Sequence, residues 1–273
     1  FDEDTPDDCP HQMTPDPISL PEEFASSLAL ARERLGVIAH RVLWYPEVGS
    51  TNDVACALAE RKVDEGLVVI ADRQTAGRGR LGRSWASPVG AGIYASVVMR
   101  PSSTVATLLT IAAGVAVAEG IVAATGLSAH VKWPNDVQVS GRKLAGILAE
   151  GAVSHVVLGI GINVQPAAYP ADVAVRATSI ESELGRPVDR GLVLAECLAA
   201  LASRYRELQD GRGQFVVDAW PKRAAPMLGR RVEWEAAGET QTGLAENIDD
   251  DGALIEKVGD GTLKMRSGEV RWL

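Results

Sequence analysis

The segment best equipped for chemistry is Ala76-Gly77-Arg78-Gly79-Arg80-Leu81-Gly82-Arg83-Ser84-Trp85. Its three glycines let the backbone fold closely around an anion. Its three arginines present planar forks of donors suited to phosphate or carboxylate. The plainer alternative is a flexible, solvated basic loop. The spacing Gly77-x-Gly79-x-x-Gly82 fits a dinucleotide-binding fingerprint, but that motif opens a helix, and Ser84-Trp85-Ala86-Ser87-Pro88 starts one poorly. No GxxxxGK[ST] loop is present. One basic tract with one aromatic is thin support for RNA binding.

Four further segments carry reactive types. In Val131-Lys132-Trp133-Pro134-Asn135-Asp136 the lysine ends a strand in apolar company, where it can pair with a substrate carboxylate or phosphate. Asp136 beside it can hold Mg²⁺ through water or orient an attacking amine, and the alternative is a turn with a local ion pair. Lys143 opens an apolar strand with Gly146 three places on, a pattern for close backbone approach to a ligand. In Gly159-Ile160-Gly161-Ile162-Asn163-Val164, alternation puts Gly159, Gly161 and Asn163 on one face: a flat floor for a thin ring, or simply a packing pair. Ser50-Thr51-Asn52 reads as an ordinary helix cap, or as hydroxyls and an amide for a neutral polar head group such as a cyclic urea.

These segments need elements to hold them. The pattern predicts helices over 21–35, 52–61 (capped by Ser50), 179–184, 189–208 and 215–220, and strands over 41–48, 67–72, 93–99, 130–135, 136–139, 143–150 and 153–164. Residues 105–124 have only Thr107, Thr110 and Glu119 as polar members. They imitate a membrane span, but Glu119 and the abundance of alanine and glycine favour a helix buried against a sheet. From about Gly229, five short strand-like runs separated by Asp/Gly turns predict a small barrel. Residues 1–20 hold six acids and four prolines and are expected to be a disordered tail.

Over 273 residues, 27 lysines and arginines against 36 acids give a formal charge of −9. The global field therefore opposes DNA, RNA and anionic membranes, so any polyanion site must be a local basic pocket. Cys9, Cys56 and Cys197 are far apart, and the four histidines form no HExxH. That argues against a disulfide scaffold and a Cys/His metal centre, and for a cytoplasmic setting. The acidic start lacks a signal peptide's basic and apolar regions.

Taken in order, G-S-T-N (49–52), Q-T-A-G-R-G-R-L-G-R-S-W (74–85), K-W-P-N-D (132–136), R-K-L-A-G-I-L (142–148) and G-I-G-I-N-V (159–164) closely resemble the biotin protein ligases, the biotin–[acetyl-CoA-carboxylase] ligases. The match covers about 42–165. Ile248 to Leu254 and Ser267-Gly268-Glu269-Val270 resemble that family's SH3-like C-terminal domain. The resemblance implies an α/β (α+β) mixed-sheet catalytic domain akin to class II aminoacyl-tRNA synthetases and lipoate ligases. The expected domains are the tail at 1–20, the catalytic domain at 21–225 and the SH3-like β-barrel at 226–273.

The implied activity joins biotin and ATP into biotinyl-5′-adenylate, then biotinylates one lysine of a biotin carboxyl carrier protein of a carboxylase. By that resemblance Ser50, Thr51, Asn52 and Gln74 match biotin head-group contacts, and Gly159 and Gly161 the pocket floor. Arg78, Gly79 and Arg80 match the loop that closes over biotin and the adenylate phosphate. Lys132 matches the lysine on the biotin carboxyl and the phosphate ester. Trp85 matches an aromatic near the adenine, and Asn163 an adenine contact. Asn135, Asp136 and Lys143 match residues around the triphosphate, its Mg²⁺ and the incoming amine. Arg80, Lys132, Asp136 and Lys143 are the expected catalytic set. The segment before Arg41 leaves no room for the winged helix-turn-helix of the repressor members, so a monofunctional ligase is expected, without DNA or membrane partners, as monomer or homodimer. A lipoate or octanoyl transferase and a biotin-sensing regulator are the rival readings.

Overall fold

The computed structural model describes residues 15–152, 154–166, 171–236, 239–268 and 270–273. Seven runs of the catalytic part become strands: β1 (Val42–Tyr45), β2 (Val68–Ala71), β3 (Gly92–Met99), β4 (His130–Lys132), β5 (Asp136–Val139), β6 (Arg142–Ala152) and β7 (His155–Asn163). They form one mixed sheet in the order β1-β2-β3-β7-β6-β5-β4, in which only β1 and β2 pair in parallel.

Period-two alternation assigns the two faces. Val68, Ile70, Ile93, Ala95, Val97, Leu158 and Ile160 enter the large core. That core is completed by α1 (Glu22–Ala31), α3 (Ser103–Thr125), α6 (Arg190–Gln209) and α7 (Gly213–Ala224). Val69, Ala71, Val98 and Val157 face the other way and pack with α2 (Thr51–Glu60). This second face is the one that carries Ser96, Gly159 and Gly161.

A helix as apolar as α3 has to bury most of its surface. It has the length and apolarity of a membrane span, yet most of it lies covered by α6 and the sheet. A Cβ on Gly120 would fall 2.4 Å from Cys197 Cα, so only glycine lets the two helices cross at this distance. The one acid of α3, Glu119, is bound by the Arg204 fork at 2.5 and 3.0 Å, which removes the penalty of an uncompensated charge.

After the short α4 (Ala171–Ala174), which the sequence pattern missed, and α5 (Ile180–Leu184), the chain ends in β8 (Arg231–Ala236), β9 (Glu239–Ile248), β10 (Leu254–Val258), β11 (Gly261–Met265) and β12 (Arg271–Trp272). These five, as expected in number, form an antiparallel sheet in the order β11-β10-β9-β8-β12. The Trp133 indole N–H donates to Gly252 O at 3.0 Å and ties this small domain to the turn after β4.

Two expectations change. Residues 1–14 of the anticipated tail lie outside the described residues, but Ile18 forms a β-bridge to Trp44 and Leu20 packs on the core, so both belong to the fold and not to a tail. Ser50 occupies the N-cap position of α2, yet its side chain makes no capping hydrogen bond.

Candidate active site

On the α2 side of the sheet, register sets Gly146 beside Gly161 and Leu148 beside Gly159. Bare backbone there admits two side chains. A Cβ on Gly161 would lie 2.6 Å from Trp85 Cε2, and one on Gly146 3.0 Å from Trp85 Cζ3. A Cβ on Gly159 would lie 2.4 Å from Asn52 Oδ1. The floor anticipated for a thin ring thus already carries the Trp85 indole, whose buried Nε1 has no hydrogen-bond partner among the described residues. Above this floor is a cavity of about 150 Å³.

One end of the cavity is polar and uncharged. Ser50, Thr51 and Asn52 are buried at the start of α2. Gln74 Oε1 accepts from the Thr51 N–H at 2.9 Å, and Gln74 Nε2 donates to Ser87 Oγ at 2.9 Å. Ser96 Oγ, fully buried on β3, sits 2.8 Å from Thr51 Oγ1 and donates to Asn52 Oδ1 at 2.6 Å. Asn52 Nδ2 donates to Glu150 Oε2 at 2.5 Å. A carboxylate only accepts, so this bond fixes which way the Asn52 amide points.

The arginine loop folds back on itself as a hairpin. Arg78 bridges Ser84, the Gly79 N–H donates to Arg83 O at 2.7 Å, and the Trp85 N–H donates to Gly77 O at 2.8 Å. Its tip turns through left-handed Leu81 (φ 56°) and Gly82 (φ 70°). The arginines divide their work. Arg78 forks onto Asp53 at 2.6 and 2.8 Å and reaches Glu150 at 3.1 Å. Hydrogen bonds to Asp53 above all hold its guanidinium further into the charged form than usual. Arg80 meets only uncharged acceptors in its described bonds, Asn135 Oδ1 at 3.5 Å and Gly268 O at 3.3 Å.

The opposite wall is cationic. Lys132 ends β4 in register with Asp136, and both line the cavity. Lys143 Nζ stands 2.7 Å from Asp136 Oδ1 and 5.2 Å from the centre of the Trp85 ring. Asn135 is pinned to β6: its Nδ2 donates to Ile147 O at 2.7 Å, and its carbonyl accepts from the Ile147 N–H at 2.9 Å.

Every residue expected at the site lines this cavity except Asn163. That side chain is buried and donates to Thr178 O at 3.0 Å, so it secures the segment after β7 instead of presenting an amide to a ligand. Sequence reasoning missed Asp53, Ser96 and Glu150, together with Gly268 and Val270 of the C-terminal domain, which close one side. Glu150 was the readable one, an acid on the glycine face of a strand that is otherwise apolar after Lys143. Among the described residues no three His, Cys, Asp or Glu side chains form a metal cluster.

Residues 45–165 match the Biotin/lipoate A/B protein ligase family, and residues 227–271 match the Biotin protein ligase C terminal domain. The Bifunctional ligase/repressor BirA of Bacillus subtilis is 34% identical over 243 residues, 86% of this chain and 74% of the relative. The Biotin--[acetyl-CoA-carboxylase] ligase of Mycobacterium tuberculosis is 38% identical over 232 residues, 82% of this chain and 86% of the relative. A solved structure of the biotin protein ligase from Aquifex aeolicus in complex with biotin and ATP superposes with a TM-score of 0.76 at 29% identity, covering 86% of this chain and 99% of that one.

Proposed function

The chain belongs to the biotin protein ligases, and from that membership and the shape of its cavity we propose that it activates biotin with ATP and transfers it to a lysine of a biotin carboxyl carrier protein of an acyl-CoA carboxylase. The observation that carries this reading is the cavity's polarity. A neutral hydrogen-bonding end at Thr51, Asn52 and Gln74 faces a wall of Arg80, Lys132 and Lys143. Such a site suits a molecule with an uncharged ureido ring at one end and a carboxylate at the other.

In the first step a biotin carboxylate oxygen attacks the α-phosphorus of ATP, and the bond to pyrophosphate breaks. Two anions must approach, and Lys132 and Arg80 offset their repulsion where they meet. Lys143, held by Asp136 and against Trp85, meets the polyphosphate side. In the second step a neutral lysine amine attacks the biotinyl carbonyl, the bond to AMP breaks, and the amine's proton is lost. Asp136 is the carboxylate placed to orient that amine.

Mg²⁺ would enter with the nucleotide. One carboxylate, Asp136, with the amide oxygen of Asn135 suits an ion that takes most of its ligands from phosphate and water. When bound it would neutralise charge on the triphosphate. The chain acts in the cytoplasm, a reading supported by its sparse cysteines, and does not bind DNA, a reading supported by its charge of −9.

The test is biotin-dependent exchange of labelled pyrophosphate into ATP by the purified chain. Exchange with biotin but not lipoate is expected. Exchange with lipoate instead, or binding of biotin without exchange, would favour the rival transferase or sensor. The floor makes a second prediction. Gly161→Ala must displace Trp85 and is expected to raise the KM for ATP about tenfold, with the Tm changed by no more than a few degrees. An unchanged KM for ATP would show that the indole does not shape the nucleotide site.

A further inference from the structure

We infer that Asp53 and Glu150 are positioning residues for adenylation: they clasp Arg78 and so hold the arginine hairpin against the biotin end of the cavity. The inference rests on the function proposed above. Arg78 stands at the root of the hairpin, where it bridges Ser84, and both carboxylates lie beyond the loop, on α2 and β6. The same Glu150 carboxylate that receives Arg78 also takes the Asn52 amide N–H at 2.5 Å. One side chain therefore fixes the loop root and the orientation of a head-group residue together.

Two observations make the clasp, rather than Arg80, the anchor. Arg78 has a bidentate, charge-assisted contact at 2.6 and 2.8 Å, whereas among the described residues Arg80 donates to neutral acceptors at 3.3 and 3.5 Å. Arg78 also covers two carboxylates that would otherwise repel an entering biotin carboxylate. All three side chains are about one-third exposed, so water and salt screen the pairing. A partly screened clasp is strong enough to order a loop and weak enough to release it for ligand entry.

The test compares Asp53→Asn, Glu150→Gln and Glu150→Ala with wild type in the full chain. Glu150→Gln keeps an acceptor for Asn52 and removes the charge, while Glu150→Ala removes both. For each charge-removing variant the KM for biotin is expected to rise about tenfold and release of bound adenylate to quicken about tenfold, with kcat at saturating biotin within about threefold of wild type. Trypsin, applied without substrate, is expected to cut at Arg80 or Arg83 several times faster than in wild type. Asp53→Asn, at a partly exposed helix start, keeps the test available if Glu150→Ala folds poorly. KM and adenylate release within about twofold of wild type in both Asp53→Asn and Glu150→Gln would overturn the proposal, as would unchanged tryptic cleavage. If wild type formed no adenylate from biotin, the function would fall, while the tryptic comparison would still decide whether the clasp orders the hairpin.

Discussion

Lys132→Ala is expected to slow single-turnover formation of biotinyl-adenylate by about 10- to 150-fold, with little change in folding. The ammonium lies at the end of β4 on the cavity wall, in register with Asp136 and beside the pinned Asn135. It offsets the charge of the biotin carboxylate as that group nears the α-phosphate, then holds the ester oxygens of the adenylate. A charge-assisted hydrogen bond in such a site contributes roughly 1.5–3 kcal/mol, which sets the range above. Repulsion between the two anions adds to it. Lys132→Arg should not restore the rate, because a planar fork is wider than the slot a point charge occupies. Quenched-flow measurement of the adenylate, with circular dichroism as the folding control, decides the matter. A rate within about threefold of wild type for Lys132→Ala would reduce the segment to a turn with an ion pair.

What could be read in the sequence was local. Period-two alternation puts Gly159 and Gly161 on one face, because a strand's side-chain direction depends only on parity. It could not say that Trp85 and Asn52 would fill the space, since those contacts join separate strands and loops. Arg78 and Arg80 are the same residue two places apart, and nothing in the loop distinguishes them. Their roles part only because Asp53, 25 residues away, and Glu150, 72 residues away, converge on the first. Asp53 gave no signal, for an acid in the first turn of a helix is ordinary. Asn163 failed the other way: its parity was right, but the backbone carbonyl of Thr178 took its amide. The contribution of Gly268 to Arg80 spans 188 residues and two domains, a distance over which residue pattern carries no register.

Replacing Glu256 by glutamine is expected to stabilise the chain at pH 8 and to do much less at pH 5. Glu256 lies on β10, opposite Ala245 on β9 and Leu263 on β11. It is fully buried, and neither carboxylate oxygen has a hydrogen-bond partner among the described residues. Burial disfavours the ionised form and pushes its pKa from 4.5 up to about 7. The folded chain thus holds the proton more tightly than the unfolded one. Below about pH 4.5 both states are protonated, and the group's contribution to stability is fully present. Between about pH 4.5 and 7 the unfolded carboxyl ionises first, and stability falls with each unit. Above pH 7 both are ionised and the loss is complete. From pH 5 to pH 8 that loss is roughly 2–3 kcal/mol, which Glu256→Gln should abolish, raising the Tm at pH 8 by roughly 4–12 °C relative to wild type. Because Gly268 and Val270 of the same domain close the cavity, adenylate retention at pH 8 should lengthen with it. Differential scanning calorimetry of both proteins at the two pH values reads the effect directly. An equal difference in Tm at pH 5 and pH 8 would mean that the buried carboxyl does not titrate in this range.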